Sequence, residues 1–146
     1  MHVAIAADHA GFQLKDSLKR VLDELKVTYQ DFGTTSAASV DYPDFAREVA
    51  QAVAGGKFDR GILVCGTGIG MAIAANKVDG VRAAPVVDTE SARLSREHND
   101  LNILTLGARV TPESRARDIV RTFLLTPFEG GRHLNRVTKI HDIERH

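Results

Sequence analysis

A chain of 146 residues with 43% hydrophobic and 26% charged side chains fits one folded domain over residues 1–146, and no apolar run reaches the length of a membrane span. Nineteen basic and nineteen acidic residues cancel, which leaves no overall field to favour nucleic acid or a membrane surface. One cysteine excludes an internal disulfide, and the first residues lack a charged leader followed by an apolar segment, so the expected location is the cytoplasm.

The apolar run at residues 3–7 predicts a first strand, closed by Asp8, His9, Ala10 and Gly11. Leu14, Leu18, Val21, Leu22 and Leu25 then recur at helical spacing, with Lys15, Asp16, Lys19, Asp23 and Glu24 on the other face. Residues 27–32 are a second strand candidate. A loop over 33–42 ends at Pro43, which opens a helix carrying Phe45, Val49 and Val53 and stopping at Gly55 and Gly56.

Ile62, Leu63 and Val64 form a short branched apolar run between glycines, and residues 71–75 are rich in alanine. Between them lie Cys65 and a turn with three glycines in five residues, Gly66, Gly68 and Gly70, together with Thr67 and Ile69. A strand, a tight turn and a helix follow. Such a turn lets successive N–H groups converge on an anion, and a thiol at its head has its thiolate favoured, as a proton-abstracting or nucleophilic cysteine requires. The alternative role for Cys65 is a small buried apolar side chain beside a structural turn.

Residues 81–87 are a fourth strand, after which Asp88 or Thr89 caps a helix running to about His98 and broken by Asn99 and Asp100. Residues 102–106 are a fifth strand closed by Gly107. Thr111 and Pro112 read as a cap and a first-turn proline ahead of a helix packing Ile119, Val120, Phe123 and Leu124. The last helix, about residues 132–144, has an apolar side of Leu134, Val137 and Ile140. This third of the chain leans basic, with eight Lys/Arg against five Asp/Glu over residues 101–146.

Strands alternating with helices predict an α/β fold, a three-layer Rossmann-like sandwich with a five-stranded parallel sheet and helices on both faces. Ligands of such sheets bind beyond the carboxyl ends of the strands. Asp8, His9, residues 65–70 and residues 107–109 are therefore expected on one rim, and His2 on the other.

Known phosphate-binding patterns fit the glycine turn poorly. A dinucleotide fingerprint counted from Gly66 and Gly68 needs glycine where Met71 stands, and the turn follows the third strand, not the first. No Gly-Lys-Ser/Thr follows, which excludes a P-loop, and no His/Cys/Asp cluster has zinc-ligand spacing. There remain an oxyanion-holding turn, Cys65 as a potential base, the Thr67 hydroxyl, His9 and His98, and Arg132 and Arg136 at i, i+4 beside His133. Moving a proton between adjacent carbons of a phosphosugar needs an acid/base to open the ring, a base for the carbon-bound proton, amides for enediolate charge and arginines for phosphate.

Seven segments together carry a specific likeness: residues 8–11 (Asp-His-Ala-Gly), 41–43 (Asp-Tyr-Pro), 65–70 (Cys-Gly-Thr-Gly-Ile-Gly), 74–77 (Ala-Ala-Asn-Lys), 95–100 (Ser-Arg-Glu-His-Asn-Asp), 107–109 (Gly-Ala-Arg) and 129–133 (Glu-Gly-Gly-Arg-His). In order and spacing the chain resembles ribose-5-phosphate isomerase type B, a family that includes the galactose-6-phosphate isomerase subunits. The resemblance implies interconversion of ribose 5-phosphate and ribulose 5-phosphate, a pentose phosphate pathway step, through a cis-enediolate with no metal or organic cofactor. It implies that Cys65 is the base between C2 and C1, that the amides of Gly66, Thr67, Gly68, Ile69 and Gly70 with the Thr67 hydroxyl hold the enediolate oxygens, and that His98 assists ring opening. Asn99 and Asp8 would hold sugar hydroxyls, while His9, Arg109, Arg132 and Arg136 would bind the phosphate end. It further implies a homodimer or homotetramer whose active sites are shared between subunits. Allose 6-phosphate, galactose 6-phosphate or a tetrose phosphate is the alternative substrate, and a non-catalytic phosphosugar sensor the alternative role.

Overall fold

The protein, described by a computed structural model over residues 1–145, is built on five parallel strands, β1 (His2–Ala7), β2 (Thr28–Asp31), β3 (Arg60–Cys65), β4 (Ala83–Pro85) and β5 (Ile103–Gly107). Their order across the sheet is β2-β1-β3-β5-β4. Every neighbouring pair is parallel, with Ile5 opposite Ile62 and Cys65 opposite Gly107. Because the chain leaves β1 toward one edge and later enters β3 on its other side, the carboxyl ends of β1 and β3 flank a point where the winding direction reverses. Crevices form at such points.

Alternation along the strands sorts side chains to two faces. Val3, Ile5, Ala7, Ile62, Val64, Leu104 and Leu106 pack against helices α1 (Phe12–Glu24), α4 (Thr89–Asn99) and α5 (Glu113–Leu125). Ala4, Ala6, Leu63, Cys65 and Ile103 face α2 (Tyr42–Ala54) and α3 (Ile69–Ala75). This is the three-layer sandwich expected. Val120 and Phe123 are fully buried in the first layer, each worth about 1.5–3 kcal/mol of apolar burial. Among the described residues no helix is long and apolar enough to cross a membrane.

Three elements differ from the sequence reading. The fourth strand shrinks to Ala83–Pro85, because it lies at the sheet edge and the Asn76 side chain takes both the N–H and the carbonyl of Ala83 at 2.8 Å, in place of a sixth strand. Pro112, not Thr111, occupies the N-cap position of α5, and the buried Thr111 Oγ1 finds no partner. The last helix, α6 (Arg132–Asp142), rests on α4 through His133 and Val137, whereas Leu134 and Ile140 stay 57% and 43% exposed. Their stripe is apolar, but α6 has no strand of its own to cover.

Polar side chains pin the layers. Lys15, 1% exposed, reaches from α1 to Asp31 Oδ1 at 2.8 Å and to the Thr34 carbonyl, tying the helix to the end of β2. Burial alone would raise the Asp31 carboxyl, but hydrogen bonds from Lys15, the Gly33 N–H and Lys19 outweigh it and hold Asp31 below the usual range.

Candidate active site

The carboxyl rim is assembled by three turns laced to one another. Ala108 N–H donates to the Cys65 carbonyl at 2.8 Å and Arg109 N–H to the Gly66 carbonyl at 2.9 Å, so the turn after β5 is fastened to the turn after β3. Asp8 N–H donates to the Val64 carbonyl, which fastens the turn after β1 as well. Asp8, His9, residues 65–70 and Arg109 consequently share one rim, while His2 lies at the far end of β1 beside Asp59.

The glycine turn is fixed from below. Gly68 adopts φ +82°, open to glycine and strained for other residues, and a Cβ there would lie 3.1 Å from the Leu106 backbone. Its carbonyl accepts the hydroxyl of Thr105 at 2.7 Å, a side chain of β5 with no exposure at all. Gly68 N–H in turn donates to Cys65 Sγ at 3.2 Å. Thr105 was not singled out by the sequence; its only mark there is that it is the one polar residue inside an apolar strand.

Two of the turn's five amides are thus engaged internally, since Ile69 N–H donates to Thr67 Oγ1 at 3.3 Å. Those of Gly66, Thr67 and Gly70 make no hydrogen bond among the described residues. Arg109 lays its guanidinium against Gly66, where an added Cβ would be 3.0 Å from Nη1, and the Tyr42 ring covers Gly70 at 2.6 Å by the same measure. Tyr42 is a wall of the site that helix periodicity does not reveal, because it comes from the opening turn of α2.

Asp8, 6% exposed, spends Oδ1 on the N–H groups of Ala10 and Gly11 at 3.0 and 3.1 Å, which leaves Oδ2 for a ligand. His9 Nδ1 accepts the Val40 N–H at 3.2 Å. A backbone amide can only donate, so neutral His9 carries its proton on Nε2.

His98, Asn99, Arg132 and Arg136 do not join this rim. Helix α4 starts above the carboxyl end of β4 and descends, so His98 and Asn99 finish at its foot, next to the start of β5. The length of β5, roughly 15 Å at ~3.3 Å per residue, separates that foot from Cys65. There His98 stacks on His133 with ring centroids 4.3 Å apart and planes 13° from parallel. Burial, then the neighbouring His98 and Arg132, push the His133 imidazole below its usual range, which favours the neutral ring. Arg132 and Arg136 stand exposed on the same helix. One chain therefore carries two separate clusters at opposite ends of its strands: the glycine turn with Cys65, and a group of histidine and arginine side chains.

Among the described residues one group brings metal-type ligand atoms together, His98, Glu129 and His133, within 4.8 Å of one another. Near-parallel stacked rings direct their lone pairs side by side, an arrangement suited to contact more than to joint ligation of one ion.

The model of the ribose/galactose isomerase family matches residues 3–140. The ribose-5-phosphate isomerase B of Escherichia coli is 48% identical over 143 residues, covering 98% of this chain and 96% of its own. The solved ribose-5-phosphate isomerase B of Clostridium thermocellum superposes with a TM-score of 0.97 at 52% identity, covering 99% of this chain and 97% of that one. That of Mycoplasma genitalium, solved with bound ribulose-5-phosphate, gives 0.94 at 43% identity, with 98% and 95% covered. Fold, rim and likeness agree, and the chain belongs to the ribose/galactose isomerase family.

Proposed function

We propose that the protein interconverts ribose 5-phosphate and ribulose 5-phosphate, and that each active site joins the Cys65 rim of one subunit to the His98 platform of another. The observation that carries this reading is the Cys65 thiol facing a turn with three unengaged amides, with Arg109 packed on Gly66 of that turn and Asp8 on the same rim. In the ring-opened sugar the Cys65 thiolate takes the C2 proton, leaving a cis-enediolate whose oxygens lie against the N–H groups of Gly66, Thr67 and Gly70. Returned to C1, with the O2 hydroxyl proton passing to O1 so that the carbonyl is left at C2, the same proton yields ketose from aldose with no net gain or loss of atoms. His98 of the partner subunit opens the furanose, and its Asn99 holds a sugar hydroxyl. Arg109 and His9, with Arg132 and Arg136 from across the interface, take the phosphate.

Two half-sites at opposite ends of the strands favour a closed assembly, because a two-fold dimer brings each rim to the other chain's platform and completes two sites at once. A homodimer is the smallest such arrangement. No resident cofactor is needed for this proton transfer, and a reactive, unpaired thiol suits the reducing cytoplasm. Turnover by the pure protein, side by side on ribose 5-phosphate, allose 6-phosphate and galactose 6-phosphate, tests the substrate. Preference for ribose 5-phosphate is expected, and a higher kcat/KM on a hexose phosphate replaces it.

A further inference from the structure

Three arginines from three elements border one cavity of about 500 Å³ at the amino edge of the sheet, at the opposite ends of the strands from Cys65. Arg60 opens β3, Arg82 precedes β4 and Arg96 lies on α4; Asp59 and Asp100 are the only carboxylates on the lining.

Their charges do not balance. Asp100 is shared, 2.8 Å from Arg96 Nη1 and 3.5 Å from Arg82 Nη2. Asp59 is turned to the His2 backbone N–H at 2.7 Å. Arg96 is otherwise occupied with the carbonyls of Leu101 and Thr126, and Arg82 with the Asp100 carbonyl and His141. Arg60 makes no ion pair among the described residues. Its Nη1 donates to the Phe123 carbonyl at 2.8 Å and its guanidinium lies over the Phe123 ring at 5.4 Å, while Asp59 and Asp100 act on its charge only from beyond ion-pair distance and are shared with the other groups of the lining. Burial, and then the charge of Arg96, bring Arg60 down to about 10, still cationic at neutral pH. A guanidinium that cannot shed its proton is relieved by a counter-anion, and the planar fork of Arg60 keeps donors free for a tetrahedral oxyanion.

We infer that this cavity is a second anion site, built on Arg60 with Arg82 and Arg96, for inorganic phosphate or the phosphate group of a small metabolite. None of Arg109, Arg132 and Arg136 lines it. Occupancy draws Arg60 and Arg96 toward a common charge, and Arg96 on α4 and Asp100 at its C-cap lie on either side of His98 and Asn99 in the chain.

The test uses an Arg132→Ala/Arg136→Ala background, in which the phosphate grip of the proposed active site is weakened. At constant ionic strength, inorganic phosphate at tenfold its Kd is expected to raise Tm by at least ~3 °C, and calorimetry to show one site per chain that does not compete with ribose 5-phosphate. Adding Arg60→Gln abolishes that site. Arg60→Lys keeps the charge without the fork, and weakens it about tenfold, which serves if the glutamine variant folds poorly. Tighter binding of glycerol 3-phosphate than of phosphate identifies a phosphomonoester as the ligand, and the reverse identifies free phosphate. Absence of any phosphate-dependent shift in the background variant, or binding that is indifferent to both Arg60 substitutions, overturns the inference.

Discussion

Cys65 Sγ accepts the backbone N–H of Gly68 across 3.2 Å, inside a loop of four residues. Cys65 is 5% exposed, so its side chain is surrounded by protein and not by bulk water. The N–H donor stays aimed because Gly68 holds φ +82° and its carbonyl is anchored by Thr105. The proposed base is thus positioned by β5, two strands later in the chain and adjacent to β3 in the sheet.

Replacing Cys65 by alanine should lower kcat by at least ~10², the scale of a lost general base, with little change in phosphosugar affinity. Steady-state kinetics with ribose 5-phosphate check this. Turnover near wild type removes Cys65 from the reaction.

Gly68→Ala should cost about 1–3 kcal/mol, because alanine is strained at that φ and its Cβ meets the Leu106 backbone. The thermal midpoint falls by several degrees. Activity should fall further than stability alone predicts at temperatures where the variant is fully folded, since the N–H facing Sγ is displaced.

Mixing two inactive variants tests the shared site. Cys65→Ala and His98→Ala, unfolded or dissociated together and reassembled, should regain about a quarter of wild-type activity, because half of random dimers are mixed and each mixed dimer holds one intact site of two. Failure to regain any activity, with mixed dimers demonstrated by native mass spectrometry, would place both residues in the same chain's site.

Lys15→Met should destabilise the fold by about 2 kcal/mol, less than the ~3–5 of a fully buried pair because Asp31 is 20% exposed and keeps Lys19 at 3.0 Å. Asp31 is held below its usual range in the folded protein. Its contribution is present above the unfolded carboxylate pKa, ~3.9, and is lost as pH falls through the lower folded value. Urea unfolding between pH 3 and 7 should therefore show a shallower acid loss in the Lys15 variant than in wild type.

His133 titrates in the opposite chemical sense but with the same consequence. Its folded pKa is depressed, so on descending through ~6.5 the unfolded chain gains a proton that the native stack resists, and stability declines. His133→Asn should flatten that part of the stability profile. A profile unchanged between pH 5 and 7 contradicts the burial and stacking argument.

Strand and helix order, the carboxyl rim and the place of Cys65 were legible because each depends on neighbours a few residues away: apolar runs, helical spacing and glycine at a turn. The anchoring role of Thr105, the packing of Tyr42 on Gly70 and the Arg60 cavity were not. Each acquires its meaning from a residue 22 or more positions distant, which no local spacing reveals. The exposed stripe of α6 misled for the same reason, since periodicity states that a face is apolar and leaves open what covers it.

The sequence by itself determined the alternation of strands and helices and the glycine turn at residues 65–70, through short-range backbone preference and side-chain period. Only the tertiary structure decided that His98, Asn99, Arg132 and Arg136 stand at the other end of the strands from Cys65. A parallel sheet sends each connecting helix back along its strand, so residues at a helix foot end a strand's length away from the rim.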